Sequence, residues 1–473
     1  MARTRERVLN PWILAYAAGG FWLTYLGTTT LGVLSPTIQD EFGLGHDEAL
    51  WIVNAFMLTL ALFTAPAGKI GDYYGHRLVM QLGFVVLAVG SLFSAIAQDA
   101  IWLFLSLGVQ GIGAAALYPS SVAIVINDAR PENSGKATGQ WALAGAIVFS
   151  FGPVMAGLFT EFASWRWVFV FNIVACAVMI VVGFRHIKPM QLTAKRWDTL
   201  GTATLIIGLG LVLVAILEAL AWGIAAPATL TLFFVGLGVL GLFLWIELKS
   251  DSPLLDLEIL RDRMFAGTAI VLFATQFVVS GYLIYIATFL QDVIGFSALL
   301  AGVAMLAAYV FVPWNAVISG RITDRFGPRP SVIAGMIFLV AGAALAAIFA
   351  GADSYWLLLP SLVAMGLAQP YAITAAVAAS AASLPPEERG EGEGLVTALR
   401  WIAAALATTV LGVVIARVRV GDMGHMSDLD AAISGYTMAF WVATGAAVLG
   451  LIVSLFAIRT RASTDDPNVA TLK

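Results

Sequence analysis

The sequence predicts an all-α membrane protein with many spanning helices, and three observations lead to that fold class. Of the 473 residues, 60% are hydrophobic and only 11% are charged, which is far too apolar for ordinary soluble domains. Apolar stretches of about 20 residues, long enough to cross a bilayer, recur along the whole chain. A polar loop between two such stretches occurs twice in the sequence. Together these features indicate a duplicated polytopic membrane protein.

The spanning stretches are fourteen in number, and no soluble domain fits between them. The polar N-terminus leads directly into the first stretch, which is expected to be a retained helix and not a removed signal. The windows fall near residues 12–36, 48–67, 79–97, 101–126, 138–160, 166–185, 199–221, 227–246, 266–290, 299–319, 330–350, 355–381, 395–416 and 436–458.

The distribution of basic residues sets the expected orientation. If the N-terminus is cytoplasmic, all 25 lysines and arginines fall in cytoplasmic segments except Arg166, Arg400, Arg417 and Arg419. Because cytoplasmic loops carry an excess of positive charge, we expect both termini to lie in the cytoplasm.

The repeated loop reads G-[KR]-I-x-D-x-x-G-x-R at residues 68–77 and again at 320–329. An aspartate and an arginine five residues apart, with a glycine between them, suit a tight turn that joins two helix ends by an ion pair and hydrogen bonds to free backbone groups. A pair of this kind can form in one conformation and break in another. For a single copy, a solvated turn with unrelated charges is the alternative. The predicted gate residues are Gly68, Gly71, Asp72, Gly75 and Arg77 in the first copy and Gly320, Asp324, Gly327 and Arg329 in the second.

This loop resembles the signature loop between helices 2 and 3 of the major facilitator superfamily, and its second copy resembles the loop between helices 8 and 9. The copies begin 252 residues apart, whereas a six-plus-six transporter needs roughly 200, so two further helices fit between them. The resemblance implies a six-helix bundle at residues 1–190, two inserted helices at 191–250 and a second six-helix bundle with a short cytoplasmic tail at 251–473. A binding cavity is then expected between the bundles near the bilayer midplane.

Further motifs resemble the fourteen-helix drug:proton antiporter branch. Gly152, Pro153 and Gly157 lie in a G-P-V-M-A-G stretch close to the branch's G-P-x-x-G-G signature, with Ala156 in place of a glycine. Proline and small residues bend a membrane helix and let a neighbour approach closely, which places these three residues among the predicted gate residues. A merely packed glycine-rich helix is the alternative. The segments W-R-W-V-F-V-F-N at 165–172 and L-Q-D-V-I-G at 290–295 resemble other parts of the same branch.

The chain departs from this branch where the branch carries charge inside the membrane. Gly27 and Gly32 stand where the resemblance calls for an aspartate and an asparagine in the first helix, and Leu107 replaces an arginine in the fourth. Because a lone intramembrane charge is costly, losing one favours losing the other. A proton-coupled carrier also needs a titratable group with alternating exposure, so any coupling must use another residue. The candidates for that residue are Glu218, Glu247, Asp198 and Asp292, and all four are expected near helix ends, with Glu218 facing the outer headgroups.

Neutral polar side chains at membrane depth are the predicted substrate contacts: Gln110, Gln276, Gln369, Asn315 and Thr28. An amide that faced lipid would be costly, so the glutamines and the asparagine are expected to point into the bundle. Bonds between helices are the alternative for the glutamines. Thr28 can instead bond to its own helix backbone.

Arg400 resembles an arginine common at this place in the branch. We expect it to snorkel to the inner surface, with a gate contact to Glu391 or Glu393 as the alternative. The central cavity is therefore expected to carry no formal charge, which suits hydrophobic or amphipathic substrates and suits a cation poorly.

The resemblance implies a multidrug-efflux transporter of the cell inner membrane that works by alternating access. Proton antiport belongs to what the branch implies, and an uncoupled or lipid-type carrier is the alternative favoured by the missing charges. A membrane scaffold or sensor is a different class, which the retained loops argue against. The four histidines form no catalytic or metal-binding spacing, so no enzyme, metal or cofactor is predicted. The expected partners are a small-molecule substrate and the lipid bilayer, with protons and a periplasmic adaptor left open and nucleic acid not expected.

Overall fold

The computed structural model describes residues 9–129, 137, 139–141, 143–145, 151–188, 198–250, 253–352, 354–385, 389–422 and 426–458. Within these ranges the regular elements are helices. They are α1 (Pro11–Phe42), α2 (His46–Tyr74), α3 (His76–Ala95), α4 (Ala100–Asp128), α5 (Gly152–Phe162), α6 (Arg166–His186), α7 (Thr199–Trp222), α8 (Pro227–Glu247), α9 (Arg263–Asp292), α10 (Ala298–Ala304), α11 (Leu306–Tyr309), α12 (Val312–Phe326), α13 (Pro328–Phe349), α14 (Tyr355–Gln369), α15 (Ala375–Ser383), α16 (Arg389–Asp422) and α17 (Asp428–Ala457).

Polar residues just before the apolar runs fix where several helices begin. The Asn10 side chain accepts a hydrogen bond from the backbone N–H of Trp12 at 3.0 Å, and Asp99 accepts one from Trp102 at 2.8 Å. The first N–H groups of a helix have no partner within it, so such caps stabilise the starting turn. The same arrangement occurs at Asp198, Asp262, Ser297 and Ser427.

Twelve helices of the described chain are long and apolar enough to cross a membrane, with Ala298–Phe326 and Tyr355–Ser383 each counted as one span. The protein is therefore a multi-pass membrane protein, as predicted. The 32-residue α1 and the short α5 are not among the twelve. The total of fourteen and the cytoplasmic position of the termini stay predictions. The predicted domain boundary near residue 190 lies outside the described residues, and the one near 250 borders the undescribed pair 251–252.

Helices α1–α6 form one half of the molecule and α9–α17 form the other. In the first half, α4 packs against α1, α2 and α3, while in the second half α9, α13 and α16 pack against α17. The two repeated loops lie at the same end of the bundle, here named the loop end, and the opposite end is named the far end. Helices α7 and α8 form a hairpin outside both halves, and α7 packs against both α2 and α16.

Two spans of the second half are interrupted. A π-helical turn at Pro370–Thr374 separates α14 from α15, and Met305 and Val310 mark the breaks between α10, α11 and α12. Pro370 begins the π-helical turn and Pro313 lies in the first turn of α12. Proline has no backbone N–H and so cannot donate the hydrogen bond that would continue the preceding helix. Such interruptions in membrane helices occur where backbone is protected by protein.

Candidate functional site

The two repeated loops share a glycine with positive φ at the end of the first helix. Gly75 and Gly327, which end α2 and α12, have φ values of 95° and 83°, a region that side-chain-bearing residues rarely adopt. Gly71 is also constrained, because a Cβ there would lie 2.2 Å from the His76 ring. Gly68 and Gly320 have no such restriction, since a Cβ on either would meet no atom closer than 3.7 Å.

The charged residues of these loops bond differently from the expected pair. Asp72 contacts His76 at 3.1 Å, whereas Arg77 donates a hydrogen bond to the Phe184 carbonyl at 3.2 Å. In the second loop Arg329 donates to the Leu455 carbonyl at 3.0 Å. Each loop arginine thus binds the carboxyl end of the last helix of its own half, where free carbonyls attract cations. The expectation that Arg77 pairs with Asp72 is wrong for this conformation.

The glycines of α5 lie where the two halves meet. A Cβ on Gly157 would lie 2.4 Å from the Ala298 carbonyl oxygen, and one on Gly302 would lie 2.3 Å from the Pro153 carbonyl oxygen. Each helix therefore presents a glycine to the backbone of the other at the far end. Gly152 faces its own half, since its Cβ would approach the Thr29 hydroxyl at 2.7 Å.

Polar contacts close the far end between the halves. Thr408 and Thr409 of α16 donate hydrogen bonds to the Asn54 side-chain oxygen on α2 at 2.8 and 2.9 Å. Gln291 of α9 donates to the Val33 carbonyl on α1 at 3.1 Å. The cross-half contacts of the described chain concentrate at the far end and the centre, which is the arrangement of a carrier closed at the far end.

The positions that depart from the branch are packed by apolar groups and backbone. Gly27 lies against the Phe56 ring, whose nearest carbon would be 2.4 Å from a Cβ. Gly32 lies against the α9 backbone, with the Ile284 carbonyl oxygen 2.8 Å from a Cβ. Leu107 is fully buried. An acid at position 27 would clash with the Phe56 ring unless the ring moved, and an arginine at 107 would be buried.

Three predicted substrate contacts bond to the protein itself. Gln110 receives a hydrogen bond from Ser91 at 3.1 Å and donates one to Ser94 at 2.7 Å, so it joins α4 to α3. Thr28 and Asn315 bond to carbonyls of their own helices, at 2.7 and 2.8 Å. For Gln110 the helix-to-helix alternative is the one that the structure contains.

Gln276 lies at the centre of the molecule, where both halves contribute. Its side-chain oxygen accepts hydrogen bonds from Nε and Nη2 of Arg400 at 3.2 and 2.9 Å, and its Nε2 donates to Ser280 at 2.7 Å. Arg400 Nη2 also donates to the Tyr25 hydroxyl of the other half at 3.3 Å. Gln369, the last predicted contact, is half-buried and ends α14 just before the π-helical turn.

Arg400 corrects two expectations. Its side chain is only 7% exposed and points into the bundle, so it does not snorkel to the surface. The centre of the molecule therefore carries a formal positive charge, and the prediction of an uncharged cavity is wrong. Glu393, two turns earlier on α16, lies within electrostatic reach of the guanidinium.

A cluster of aromatic rings lies beside this charge, joined to it through the Tyr25 hydroxyl. The Tyr25, Tyr118 and Trp401 rings form a triangle with centroid separations of 5.9, 5.8 and 5.2 Å. Phe21 stacks on Tyr25 at 4.7 Å, and Trp141 lies 5.6 Å from Tyr118. Together with Arg400 and Gln276 these five aromatic residues are named the central site.

The remaining acids lie near helix ends. Glu218 accepts a hydrogen bond from Trp51 Nε1 at 2.9 Å, which fastens the hairpin helix α7 to α2. Asp292 accepts one from the Tyr436 hydroxyl at 2.8 Å. Glu247 is buried and accepts a bond from the Leu255 backbone at 3.1 Å. Asp198 caps the start of α7, so all four acids are parts of helix-end junctions.

Two helical halves that meet at the far end around a polar centre define a membrane carrier of the alternating-access type. A family model described as Major Facilitator Superfamily matches residues 17–319 and 268–472. The chain belongs to this superfamily.

Relatives and solved structures agree with this assignment. The chain is 28% identical over 400 residues to the multidrug resistance protein Stp of Mycobacterium tuberculosis (strain CDC 1551 / Oshkosh), covering 84% of this chain and 74% of that protein. It is 26% identical over 468 residues to the puromycin resistance protein pur8 of Streptomyces alboniger, covering 96% and 92%. A bacterial homologue of the human lysosomal transporter Spinster, solved inward-facing and unoccupied, has the same fold, with a TM-score of 0.67, 17% identity and coverage of 95% and 98%.

Proposed function

We propose that this protein exports hydrophobic or amphipathic small molecules by alternating access, taking them up from the loop end and releasing them at the far end. The observation that carries the proposal is the central site. Both halves contribute residues to it, and the halves contact each other between this site and the far end. The names of the relatives, which refer to multidrug and puromycin resistance, support export as the direction.

The contacts that close the far end suit a reversible switch. Asn54 accepts two of the cross-half hydrogen bonds, Gln291 donates a third, and Glu161 accepts a fourth from the Leu299 backbone at 3.3 Å. At a net value of about 1 kcal/mol each, these bonds favour the closed far end by a few kcal/mol. A bound molecule with a moderate preference for the other conformation can shift such an equilibrium.

Proton coupling is a separate part of the proposal. The packing around Gly27 and Leu107 removes the positions that the branch uses for charge. Uncoupled transport is therefore the form of export that we propose, with proton antiport through another acid as the alternative.

The test is export of fluorescent amphiphiles from proteoliposomes, with a proton gradient present and then collapsed. We expect protein-dependent flux that persists after collapse, whereas flux that requires the gradient establishes antiport. A variant with Cys176→Ser, Glu161→Cys and Leu299→Cys, cross-linked by a bifunctional thiol reagent, should lose flux. The same variant before cross-linking is its control. Absence of flux for every amphiphile would overturn the proposal in favour of a scaffold.

A further inference from the structure

We infer that the preferred substrates carry an anionic group on a planar aromatic body and that Arg400 is the counter-charge for that group. The inference deepens the proposed function and rests on it for the transport arm of its test. It concerns the central site, whose charge and wall residues determine which chemistry fits there.

The Arg400 guanidinium has hydrogen-bond partners, but none of these partners carries a negative charge. Its hydrogen bonds go to the Gln276 amide oxygen and to the Tyr25 and Tyr118 hydroxyls, which are neutral groups. No carboxylate of the described chain lies within 4.0 Å of its guanidinium, although other arginines, such as Arg166 and Arg419, do form such pairs. A buried cation without an ion-pair partner is costly and is kept in membrane proteins where it has a function.

The acidic group whose charge acts on Arg400 is Glu393. It lies seven residues earlier on the same helix, which corresponds to about 10 Å along the axis. Glu393 therefore reduces the positive potential of the central site without occupying the hydrogen-bonding edge of the guanidinium. The Nε–Nη2 edge is bonded to Gln276, so the paired N–H groups from which a carboxylate or a similar oxyanion can accept are those of the Nη1–Nη2 edge, where it would displace the Tyr25 hydroxyl.

The walls of the central site select the rest of the molecule. The Tyr25 and Tyr118 hydroxyls bond to the guanidinium, and the rings of these two tyrosines contact the Trp401 ring of the other half. Flat ring faces favour planar aromatic molecules through offset or edge-to-face packing. The two requirements together describe an aromatic acid and not a cation.

The site also links binding to conformation. The Tyr25 hydroxyl bound to Arg400 Nη2 is a contact between the halves. An oxyanion on the guanidinium would take the place of this hydroxyl and release one bond that joins the halves. Substrate binding and movement of the halves would then share one hydrogen-bonding position.

The experiment uses three probes with one ring system: pyrenebutyrate, the neutral pyrenebutanol and cationic pyrenebutyl-trimethylammonium. Uptake into proteoliposomes and binding to the purified protein, by energy transfer from tryptophan to pyrene, are measured for wild type, Arg400→Lys and Arg400→Gln. Arg261→Gln, an exposed arginine in the linker before α9, is the control for loss of a positive charge. Melting temperatures identify variants that fail to fold. If Arg400→Gln is one of them, the comparison is made between wild type and Arg400→Lys.

We expect wild type to bind pyrenebutyrate most tightly. Arg400→Gln should weaken that binding by roughly tenfold or more, the effect typical of a charge-assisted hydrogen bond. Pyrenebutanol binding should change little, and Arg261→Gln should behave as wild type. Export that favours the cationic probe, or pyrenebutyrate binding that is unchanged in both Arg400 variants, would overturn this inference and leave the proposed export intact. Arg400-dependent binding without transport of any probe would support the inference and overturn the proposed function.

Discussion

Substituting Gly157 with alanine should open the far end without unfolding either half. The added Cβ would lie 2.4 Å from the Ala298 carbonyl oxygen and 2.5 Å from the Leu299 Cα, distances below any normal contact. Both neighbours are backbone atoms of the other half, so relief requires the halves to move apart. The cost therefore falls on the closed conformation alone.

The expected size follows from the cost of overpacking. An extra carbon in a filled space costs about 1–3 kcal/mol, and 1.4 kcal/mol corresponds to about a factor of ten in an equilibrium constant. The population with an open far end should therefore rise by roughly 5-fold to 100-fold.

Labelling of a buried cysteine measures this population. In a Cys176→Ser background, Val33→Cys places a thiol at a fully buried far-end position. A membrane-impermeant maleimide can modify it only when the far end opens, so its labelling rate follows the open fraction. Gly238→Ala is the matched control, because a Cβ there meets no atom within 4 Å. Equal labelling rates in the two alanine variants would refute the reasoning.

Three further predictions concern single residues. Gln110→Ala should lower the melting temperature, because it removes hydrogen bonds between α4 and α3 that are each worth about 1 kcal/mol. The KM for export should stay unchanged, and a raised KM would indicate that Gln110 contacts the substrate. Asp72→Asn should slow transport without unfolding the protein, because it removes the carboxylate that contacts His76, and wild-type flux in this variant would count against a gating role. Gly27→Asp should reduce the yield of monodisperse protein because the Phe56 ring occupies the space, whereas a well-folded variant with new proton-dependent flux would contradict the packing argument.

The sequence predicted the fold through features that the bilayer dictates. Apolar length defines the spans, and the duplicated loop identifies the repeat, since Gly75 and Gly327 both need a backbone conformation that glycine tolerates. The glycines at which the chain turns from one helix to the next could therefore be predicted from the sequence. The partners of individual side chains were not, because Arg77 bonds to a carbonyl 107 residues away in sequence.

The central site was predicted only in part. An amide in a membrane helix needs a partner, but neighbouring helices and substrates satisfy that need equally, so Gln110 and Gln276 were indistinguishable in sequence. Arg400 was placed near the surface because the apolar window begins at 395, whereas α16 begins at Arg389. Arg400 therefore lies about 16 Å along the helix from its start, and its guanidinium reaches Gln276 and Tyr25 instead of the inner surface.

The position of α7 makes the two flanks of the carrier unequal. This helix packs against α2 and α16 together, and Glu218 fastens it to Trp51. The contact between α2 and α16, where the two halves meet, is thereby covered by a helix that belongs to neither half. Among the described helices, no further helix packs in this way on the contact between α5 and α10, so the two lines along which the halves meet have different surroundings.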